Sequence, residues 1–514
     1  MNTDILRGRR LGNLNAESVK YTASTVFDTI LVNPVIEINK AHMVMLVSQG
    51  IVKKSQGAKC LEGLGNLKIG DELDPILEDV HMNVESQLTK KVGANIGGQL
   101  NLAKSRNDQV STAIRMALRT YLLKIITNLI EFRLIILEKA EDHLETIMPG
   151  YTHLQHAQPT TLAHHLMAYH DSMYRDCERL IESYLRLNIS PLGSAALAST
   201  SIKIDRNLTA HLLGFDGLIE NSMDAVSSRD FAVEVVSDLA LTMTNMSRIA
   251  EELVLWSSEE FGILEIPDGF ASTSSIMPQK KNAVVAELIR SKTSSVFGDM
   301  IAVISILKSL PYSYNIDMQQ LTPHLWNSCE ITLSSTKVIA GMLDKAIFNE
   351  ERLADLSKDE IAMATDLADY LAVNNEIPFR TAHLIVGDLV RISIDQKRVF
   401  RDVILNELSK TAKQLGGKDV SVSVHVLDKL LDPKKSVESK VSEGGPSRGT
   451  VLKMIKNGKN NITLKRTAVG EINVVEEMKK NNSIIGGEGN GGVILAESHY
   501  GRDSLVASSL ILNY

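Results

Sequence analysis

The stretch from Ala271 to Glu287, ASTSSIMPQKKNAVVAE, combines hydroxyl groups and cations within a short span. Its polar and turn-forming residues include, in order, Ser274, Ser275, Pro278, Lys280, Lys281 and Asn282. Small hydroxyl residues beside Gly269 and a proline indicate a loop that can open and close over a ligand. The cations could hold a carboxylate or a developing enolate-like anion. This combination suits proton abstraction next to a carboxylate; the alternative is a polar surface loop with its lysines in water.

A second polar cluster, SRNDQ, stands at the start of a long helical pattern. Arg106 offers a fork-shaped cation, and Asn107 places an amide next to it. Such groups at the positive end of a helix suit the capture of a carboxylate. The same residues also form a good N-cap sequence, and they could serve only to start the helix.

Two further segments concentrate hydrogen-bonding side chains between helical patterns. The segment PGYTHLQHAQPTT holds Thr152 and His153 between Pro149 and Pro159. So many polar side chains in a proline-bounded turn favour a ligand site over a bare connector. The segment NSMDAVSSRDF places Arg229 directly before another long helix, again as part of a polar cluster at a helix start.

The histidines of this region do not predict a metal centre. Five of them lie close together in sequence: His153, His156, His164, His165 and His170. Carboxylates and cysteines do not accompany them at metal-ligand spacing, so we expect no metal. Upstream, His81 follows two acids at an expected helix start, where a lone histidine is more often a capping or surface residue than a catalytic one.

The polar clusters are joined by long stretches whose apolar residues recur at helical spacing. We predict long helices over residues 105–148, 160–190, 228–261 and 281–310, the last interrupted by Gly298. The first would be on the order of 60 Å long at about 1.5 Å per residue. One subunit cannot bury apolar stripes on several sides of such helices. The pattern therefore predicts an oligomeric helical bundle with composite sites at its ends.

Composition argues against several other classes of protein. The 514 residues carry a formal net charge of −7, with 44% hydrophobic and 23% charged residues, as in an ordinary soluble protein. The negative charge gives no electrostatic reason to expect nucleic acid. No stretch approaches the ~18 uninterrupted apolar residues of a membrane span, and the N-terminus lacks a signal-peptide core, so we expect a cytoplasmic protein. The three widely spaced cysteines predict no disulfide framework.

Four parts follow one another along the chain. Residues 1–104 are mixed and interrupted by glycines, which indicates a smaller N-terminal domain, and residues 105–352 carry the long helices. Residues 353–456 are helical again, while residues 457–514 contain short β-like runs around the turn GGEGNGG and a helix-like end. We therefore predict a mainly α fold with small N- and C-terminal helical domains and a short α+β tail.

Six motifs together resemble the argininosuccinate lyases of the fumarase/aspartase superfamily. They are SRNDQV, PGYTHLQHAQP, PLGSAALA, NSMDAVSSRDF, SSIMPQKKN and LPYSYNIDMQ, in the order and spacing of that family over roughly residues 1–455. The sequence departs from the family at Thr273 and Ala283, where Gly and Pro are common, and at Gln320 and Leu321, where acids are common. A Thr at a Gly position restricts the loop backbone, although no chemical group is lost.

The resemblance implies a long helical bundle and a cofactor-free β-elimination of argininosuccinate to arginine and fumarate in arginine biosynthesis. It implies Ser274 as the base, Lys280 with Asn282 as the stabiliser of the aci-carboxylate, and His153 paired with Glu287 at the leaving nitrogen. It also implies a homotetramer with shared active sites. The substrate-binding positions it implies are His81, Arg106, Asn107, Thr152, Arg229, Asn282, Tyr314 and Gln319.

Other interpretations stay open. The chain could be another fumarate-releasing lyase of the superfamily, or a catalytically silent structural relative. The tail resembles the sugar-recognition part of archaeal phosphohexomutases, with Glu488 in a G-E-x-x-G loop. It lacks the phosphoserine and metal loops of a mutase, so it cannot transfer a phosphoryl group by itself. A sugar-phosphate-binding role of the tail beside the lyase is the third possibility.

Overall fold

The computed structural model describes residues 15–70, 72–416 and 418–460, together with the backbone of two short strands at 485–487 and 493–495. The described part is mainly α-helical, and its strands are short and occur in pairs. The predicted mainly α, long-helix bundle is confirmed. Most of the tail, including Glu488, lies outside the described residues.

Short helices form the N-terminal part: α1 (Ala16–Thr22), α2 (Val32–Ser48), α3 (Lys54–Gly65), α4 (Val80–Val92) and α5 (Ala94–Gly97). Among the described residues, one segment, Thr29–Ser48, is long and apolar enough to cross a membrane by length and composition. Within it Val35, Ile38 and Leu46 have no exposed surface. The segment therefore packs as a core helix of this domain.

The central bundle is built from five long helices: α6 (Arg106–Asp142), α7 (Leu162–Leu187), α10 (Asp230–Trp256), α11 (Val284–Leu307) and α12 (Leu321–Lys345). The first four match the predicted helices but are shorter at their ends. For example, α6 begins after Ser105, which forms a capping box with Asp108. The fifth, α12, was not predicted, because Pro323 and Gly341 interrupt its pattern. Pro323 lies in the first turn, where a missing N–H is tolerated.

The remaining helices connect the bundle and form the C-terminal part. Before α10 lie α8 (Arg206–Leu212) and α9 (Ser222–Ser227). After α12 come α13 (Glu350–Leu356), α14 (Ala364–Asn374), α15 (Phe379–Gln396), α16 (Phe400–Gly416), α17 (Val424–Leu430), α18 (Pro433–Ser439) and α19 (Arg448–Asn460). Residues between 361 and 431 share a hydrophobic core of their own, separate from the core of the bundle.

Five two-stranded pairs accompany the α-helices in the described structure. The longest is the antiparallel hairpin of β1 (Ile147–Thr152) and β2 (Gln155–Thr161). The others pair β3 (Ile189–Ser190) with β4 (Gly217–Leu218), β5 (Leu264–Glu265) with β8 (Ile347–Phe348), β6 (Ser272–Thr273) with β7 (Lys281–Asn282), and β9 (Ile485–Gly487) with β10 (Val493–Leu495). The β3–β4 pair is parallel and the rest are antiparallel.

Helix α19 returns to the bundle after the C-terminal core. Its Val451 and Ile455 are buried in the bundle core. A Cβ added at Gly458 would meet Leu137 at 2.9 Å and His170 at 3.0 Å, so the helix packs tightly on α6 and α7 as far as this glycine. Lys459 then pairs with Glu141 at 2.7 Å. The helix therefore ends at Asn460, a few residues beyond the boundary between residues 456 and 457 that we predict from the sequence.

We expect removal of residues 461–514 to leave the melting temperature and the assembly state of the protein largely unchanged, since α19 stays whole. Removal of everything after Ser447 should lower the melting temperature, because it takes Val451 and Ile455 out of the core at about 1.5–3 kcal/mol each. Calorimetry measures the melting temperature of both truncated proteins, and light scattering measures their assembly state. If the protein that lacks residues 461–514 unfolds, the tail is part of the fold.

Candidate active site

The polar motifs lie at two opposite ends of the bundle. We call end A the region where α6 and α10 begin and α11 ends, and end B the region where α6 and α10 end and α11 begins. At end A, Arg229 Nη1 donates to Ser111 Oγ over 3.3 Å and joins the starts of α10 and α6. At end B, the rings of Tyr151 and Phe261 lie 5.8 Å apart and join the segments that follow those helices.

The guanidinium of Arg106 lies at end A against two acids of the N-terminal part. Its Nη1 is 3.2 Å from Asp79 Oδ2 and 3.7 Å from Glu78 Oε2. Asp79 also caps α4 by accepting from Met82 N at 2.8 Å. Glu78 holds a positive φ of 62° just before this cap, a conformation that costs energy for a non-glycine residue. The N-terminal part and the start of α6 thus meet at one charged cluster.

His81 is buried at end A, one residue beyond the start of α4. Neither ring nitrogen has a hydrogen-bond partner among the described residues; Gln109 lies beside the ring, outside hydrogen-bond geometry. Burial lowers the pKa of His81 to about 4, so the ring is neutral at pH 7. The alternative of a capping or surface histidine is wrong here, because Asp79 caps the helix and His81 faces the interior.

Arg229 is the second buried side chain at end A with unsatisfied polar atoms. Its Nη1 donates to Ser111 and to the backbone carbonyls of Val226 and Ser228, while Nε and Nη2 have no partner in the described chain. Burial lowers the pKa of Arg229 to about 10, and the group remains cationic at pH 7. Buried donors without partners are rare, and a bound ligand is one explanation for them.

Tyr314 lies among these charges. Burial raises the pKa of its phenol above the ordinary value, while the nearby cations Arg229 and Arg106 lower it and Asp79 and Asp28 raise it. The predicted residues that meet at end A are His81, Arg106, Asn107, Arg229, Tyr314 and Gln319. The last, Gln319, donates to Thr22 O at 2.9 Å and so lies over the end of α1.

Asp28 is a residue of end A that the sequence did not reveal. Its Oδ2 accepts from Ser24 Oγ at 2.6 Å and from Val80 N at 3.2 Å. Burial raises the pKa of Asp28 to about 6. The segment YTASTVFD carries no recognisable spacing, and only the fold places this carboxyl group beside Tyr314.

The hairpin β1–β2 carries two predicted residues at end B. Its turn consists of His153 and Leu154 with φ of 55° and 57°, which is the left-handed pair that a two-residue hairpin turn requires. Thr152 and His153 are exposed at the tip, and Pro149 pairs with Pro159 lower in the hairpin. The predicted proline-bounded turn is therefore a projecting arm that presents polar side chains.

The segment with the serines and lysines is a second projection at end B. Strands β6 and β7 form its base, and the residues between them are largely exposed, including Ile276 at 83%. Ser274 Oγ accepts from the backbone N–H groups of Ile276 and Met277 at 3.3 and 3.2 Å. The structure thus contains an exposed loop here, as both interpretations of the sequence expect, and its closure over a ligand stays a prediction.

The two lysines of this loop differ in their surroundings. Lys281 Nζ pairs with Asp268 at 2.7 Å and with Glu265 at 3.2 Å. Lys280 has no carboxylate partner among the described residues, and its side chain is exposed. Asn282 ends β7, and Glu287 follows in the first turn of α11. Within the described chain Glu287 makes no hydrogen bond to His153, so their pairing stays a prediction.

The predicted site is therefore split between the two ends. End B holds the other six predicted residues: Thr152, His153, Ser274, Lys280, Asn282 and Glu287. Helix α10 alone has 27 residues, which gives a separation on the order of 40 Å at about 1.5 Å per residue. Side chains of one chain cannot bridge that distance. Within the described residues, no group of three or more His, Cys, Asp or Glu side chains could hold a metal ion.

Comparison with known protein families gives three matches along the chain. A family described as "Lyase" matches residues 20–298, and one described as "Argininosuccinate lyase C-terminal" matches residues 361–438. A third, "Phosphoglucomutase/phosphomannomutase, alpha/beta/alpha domain III", matches residues 451–514 and so overlaps α19.

Curated relatives and solved structures agree with the first two matches. The chain is 48% identical to an argininosuccinate lyase of Methanocaldococcus jannaschii, over 88% of this chain and 93% of the relative. It is 44% identical to that of Methanothermobacter thermautotrophicus, over 89% and 99%. A crystal structure of EDDS lyase in complex with formate superposes with a TM-score of 0.77 at 30% identity, over 89% and 92% of the chains. A fumarate lyase from Mesorhizobium sp. BNC1, at 19% identity and a TM-score of 0.71, shares the fold.

Proposed function

The chain belongs to the argininosuccinate lyases of the fumarase/aspartase superfamily, and on that premise we propose that its active site is composite, joining end A of one subunit to end B of another in a homotetramer. The protein is a carbon–nitrogen lyase that cleaves argininosuccinate to arginine and fumarate by β-elimination. We place it in the cytoplasm, in arginine biosynthesis.

The observation that carries the composite site is the division of its residues between two ends of one bundle. Antiparallel association of two chains would bring end A of each beside end B of the other. Apolar side chains on one face of α11 give such an association a surface: Phe297, Ile301 and Ile304 are exposed by 42, 60 and 43%. An apolar helix face of this kind is usual at a subunit interface and unusual in contact with water.

Ser274 is the base in this proposal. A serine hydroxyl is a weak base in water, and it needs an environment that stabilises the alkoxide. Two backbone N–H groups already donate to Ser274 Oγ, and Lys280, which has no carboxylate partner within the described part of the chain, adds a cation to the same loop. Closure of the loop over the substrate would exclude water and strengthen both interactions. The Ser274 alkoxide then takes up the proton from the carbon beside a carboxylate of the succinate part and becomes a hydroxyl, and Lys280 with Asn282 stabilises the aci-carboxylate.

His153 serves the leaving nitrogen. At the tip of the hairpin its imidazole is exposed and free to enter a neighbouring subunit's site. Glu287, in the first turn of α11, would orient the ring by accepting a hydrogen bond from it. Proton delivery by this imidazole, or polarisation of the guanidinium by it, then allows the carbon–nitrogen bond to break.

End A binds the substrate in this proposal. Argininosuccinate carries three carboxylates, an ammonium group and a guanidinium group, so its site needs charges of both signs. Arg106 and Arg229 supply cations, and the unsatisfied donors of Arg229 are suited to a carboxylate. Asp28 and Asp79 supply acids for the cationic groups of the substrate. Asn107, Tyr314, Gln319 and His81 complete the polar lining of end A, and Thr152 joins it from end B of another subunit.

The tail supports a second, separate candidate role. The match to a phosphohexomutase domain covers residues 451–514 only, and the phosphoserine and metal loops of a mutase are absent from the sequence. A sugar-phosphate-binding role beside the lyase is therefore the most that this segment supports. A catalytically silent chain is disfavoured, because Ser274, Lys280 and His153 are all retained.

We expect the purified chain to release fumarate from argininosuccinate without added metal or cofactor, and to release none from adenylosuccinate. The rise in absorbance at the fumarate band follows the reaction, and amino-acid analysis detects the arginine. Fumarate release from another amino-acid adduct but not from argininosuccinate would place the chain elsewhere in the superfamily. Failure to release fumarate from any of them would favour a silent relative.

A further inference from the structure

Asp108 is a buried carboxyl group that the proposed mechanism does not use. It lies in the first turn of α6 and has no exposed surface. Its Oδ1 accepts from Ser105 N at 3.0 Å, which completes the capping box of the helix. Its Oδ2 accepts from two backbone N–H groups of a distant loop, Gly193 at 3.0 Å and Ala195 at 2.8 Å. A helix cap alone requires only the first of these bonds.

The loop that Asp108 holds, residues 193–199, is strained and faces end A. Gly193, Ala195 and Ser199 have φ of 86°, 52° and 61°, and two of them are not glycine. Arg206 on α8 secures the start of the loop by donating to Leu192 O at 2.9 Å. Residues 196–199 are exposed at the tip. Such a conformation persists only where neighbouring groups hold it in place.

The same loop contacts a predicted substrate-binding residue. Asn107 Nδ2 donates to Ala196 O at 2.9 Å, so the orientation of the amide depends on where the loop lies. Asn107 is the residue directly before Asp108, and the two side chains thus hold the loop from adjacent positions. Loss of the bonds to Gly193 and Ala195 would release Ala196 O and with it the Asn107 amide.

We propose that Asp108 is a positioning residue for substrate binding, which fixes the 193–199 loop and through it orients the Asn107 amide at end A. This inference rests on the proposed role of Asn107 in binding argininosuccinate. It requires the ionised carboxylate, because only that form accepts all three backbone N–H bonds without presenting a proton of its own to any of them.

The inference predicts a dependence on pH near the acid side of neutrality. Burial raises the pKa of Asp108 to about 6, and the three backbone bonds and the Lys104 ammonium lower it only in part. The charged groups that face it are Lys104, which precedes α6 and whose own pKa burial lowers to about 7, and Arg206 on α8. The carboxylate is therefore ionised at pH 7 and becomes protonated as the pH falls through about 6. Its folded pKa lies above the ordinary value, so protonation of this group does not destabilise the fold; the effect is local to the loop.

The test compares Asp108→Asn with the wild type. The Asn side chain has one acceptor atom and one donor atom. Its NH2 group therefore faces the N–H donor of either Ser105 or the loop, and that hydrogen bond is lost. We expect the KM for argininosuccinate to rise about 10-fold, equivalent to about 1.4 kcal/mol, with kcat changed much less. The wild-type KM should rise as the pH falls through about 6, and the rise should be smaller in the variant, in which Asp28 still titrates over that range but Asp108 does not. Asp432→Asn is the matched control, since Asp432 caps α18 through Lys434 N and Lys435 N outside the predicted site residues.

Two further measurements separate the outcomes. Asn107→Ala should raise the KM by itself; an unchanged KM would remove Asn107 from the proposed function. A raised KM in Asn107→Ala together with an unchanged KM and pH profile in Asp108→Asn would overturn the inference alone. If Asp108→Asn does not fold, hydrogen exchange of the wild type decides: protection of the Gly193 and Ala195 amides should fall as the pH drops through about 6, while that of the Lys435 amide should not. Equal protection on both sides of that pH would refute the positioning role.

Discussion

Replacement of Ser274 by Ala should lower kcat by about 100-fold or more while leaving the KM for argininosuccinate within a few fold. The hydroxyl is the only group that the substitution removes, and the proton beside the carboxylate then has no base. The two backbone N–H groups that donate to Ser274 Oγ would lose their acceptor, but they lie in an exposed loop where water can replace it. Steady-state rates of fumarate release measure the effect.

Ser275→Ala is the matched control for this prediction. Ser275 has the same side chain in the same exposed loop, one position further on, and accepts neither of the two backbone bonds. We expect its kcat to stay much closer to that of the wild type, and circular dichroism should show both variants folded. A Ser274→Ala protein with nearly normal turnover, or an equal loss in both variants, would exclude Ser274 as the base.

The sequence predicted the bundle because long helices leave a periodic signal that does not depend on tertiary context. Residues 105–148 and 228–261 were expected as helices, and α6 and α10 occupy most of them. The helix ends are less accurate because short strands and caps compete there: the predicted helix over 105–148 ends at Asp142, and Ile147 begins β1. The sequence does not predict helix α12 for a local reason. A proline within a helical pattern usually indicates the end of a helix, but Pro323 lies in the first turn, where proline is tolerated.

The site could be predicted as a set of motifs, but its arrangement could not. Motifs mark residue types and spacing, which give chemistry, whereas Asp28 and Asp108 take their roles from contacts across the fold. Asp28 has no motif around it. Asp108 belongs to SRNDQ, which the sequence also allows as an N-cap. Its Oδ1 does cap the helix, but its Oδ2 binds a distant loop, which the motif did not predict.

The division of the site between two ends follows from counting helices. Each long helix carries the chain from one end of the bundle to the other, so motifs separated by an odd number of long helices lie at opposite ends. SRNDQ and the hairpin are separated by α6 alone, and NSMDAVSSRDF and the serine loop by α10 alone. This alternation makes a single chain incomplete at both ends. It also means that each site has an end A half and an end B half. A substitution at end A damages only the first half, and a substitution at end B damages only the second.

Two inactive variants with defects at opposite ends should therefore restore activity when they are combined. We expect Arg106→Ala and Ser274→Ala each to lack most activity as homotetramers. After joint denaturation and reassembly in equal amounts, random assortment gives about one site in four with both halves intact, so activity should return to about a quarter of the wild-type value. Light scattering should give four chains per particle for the wild type and for the mixture.

The control combines two variants with defects in the same half. Ser274→Ala and Lys280→Ala both alter the end B loop, so every site in their mixed tetramers keeps a defective loop and activity should stay near that of the individual variants. Recovery in this second mixture would mean that reassembly itself raises the rate. An active monomer, or the absence of recovery in the first mixture when light scattering confirms mixed tetramers, would contradict a site shared between subunits. In that case the 27 residues of α10 would have to be spanned within one chain, which its helical geometry does not permit.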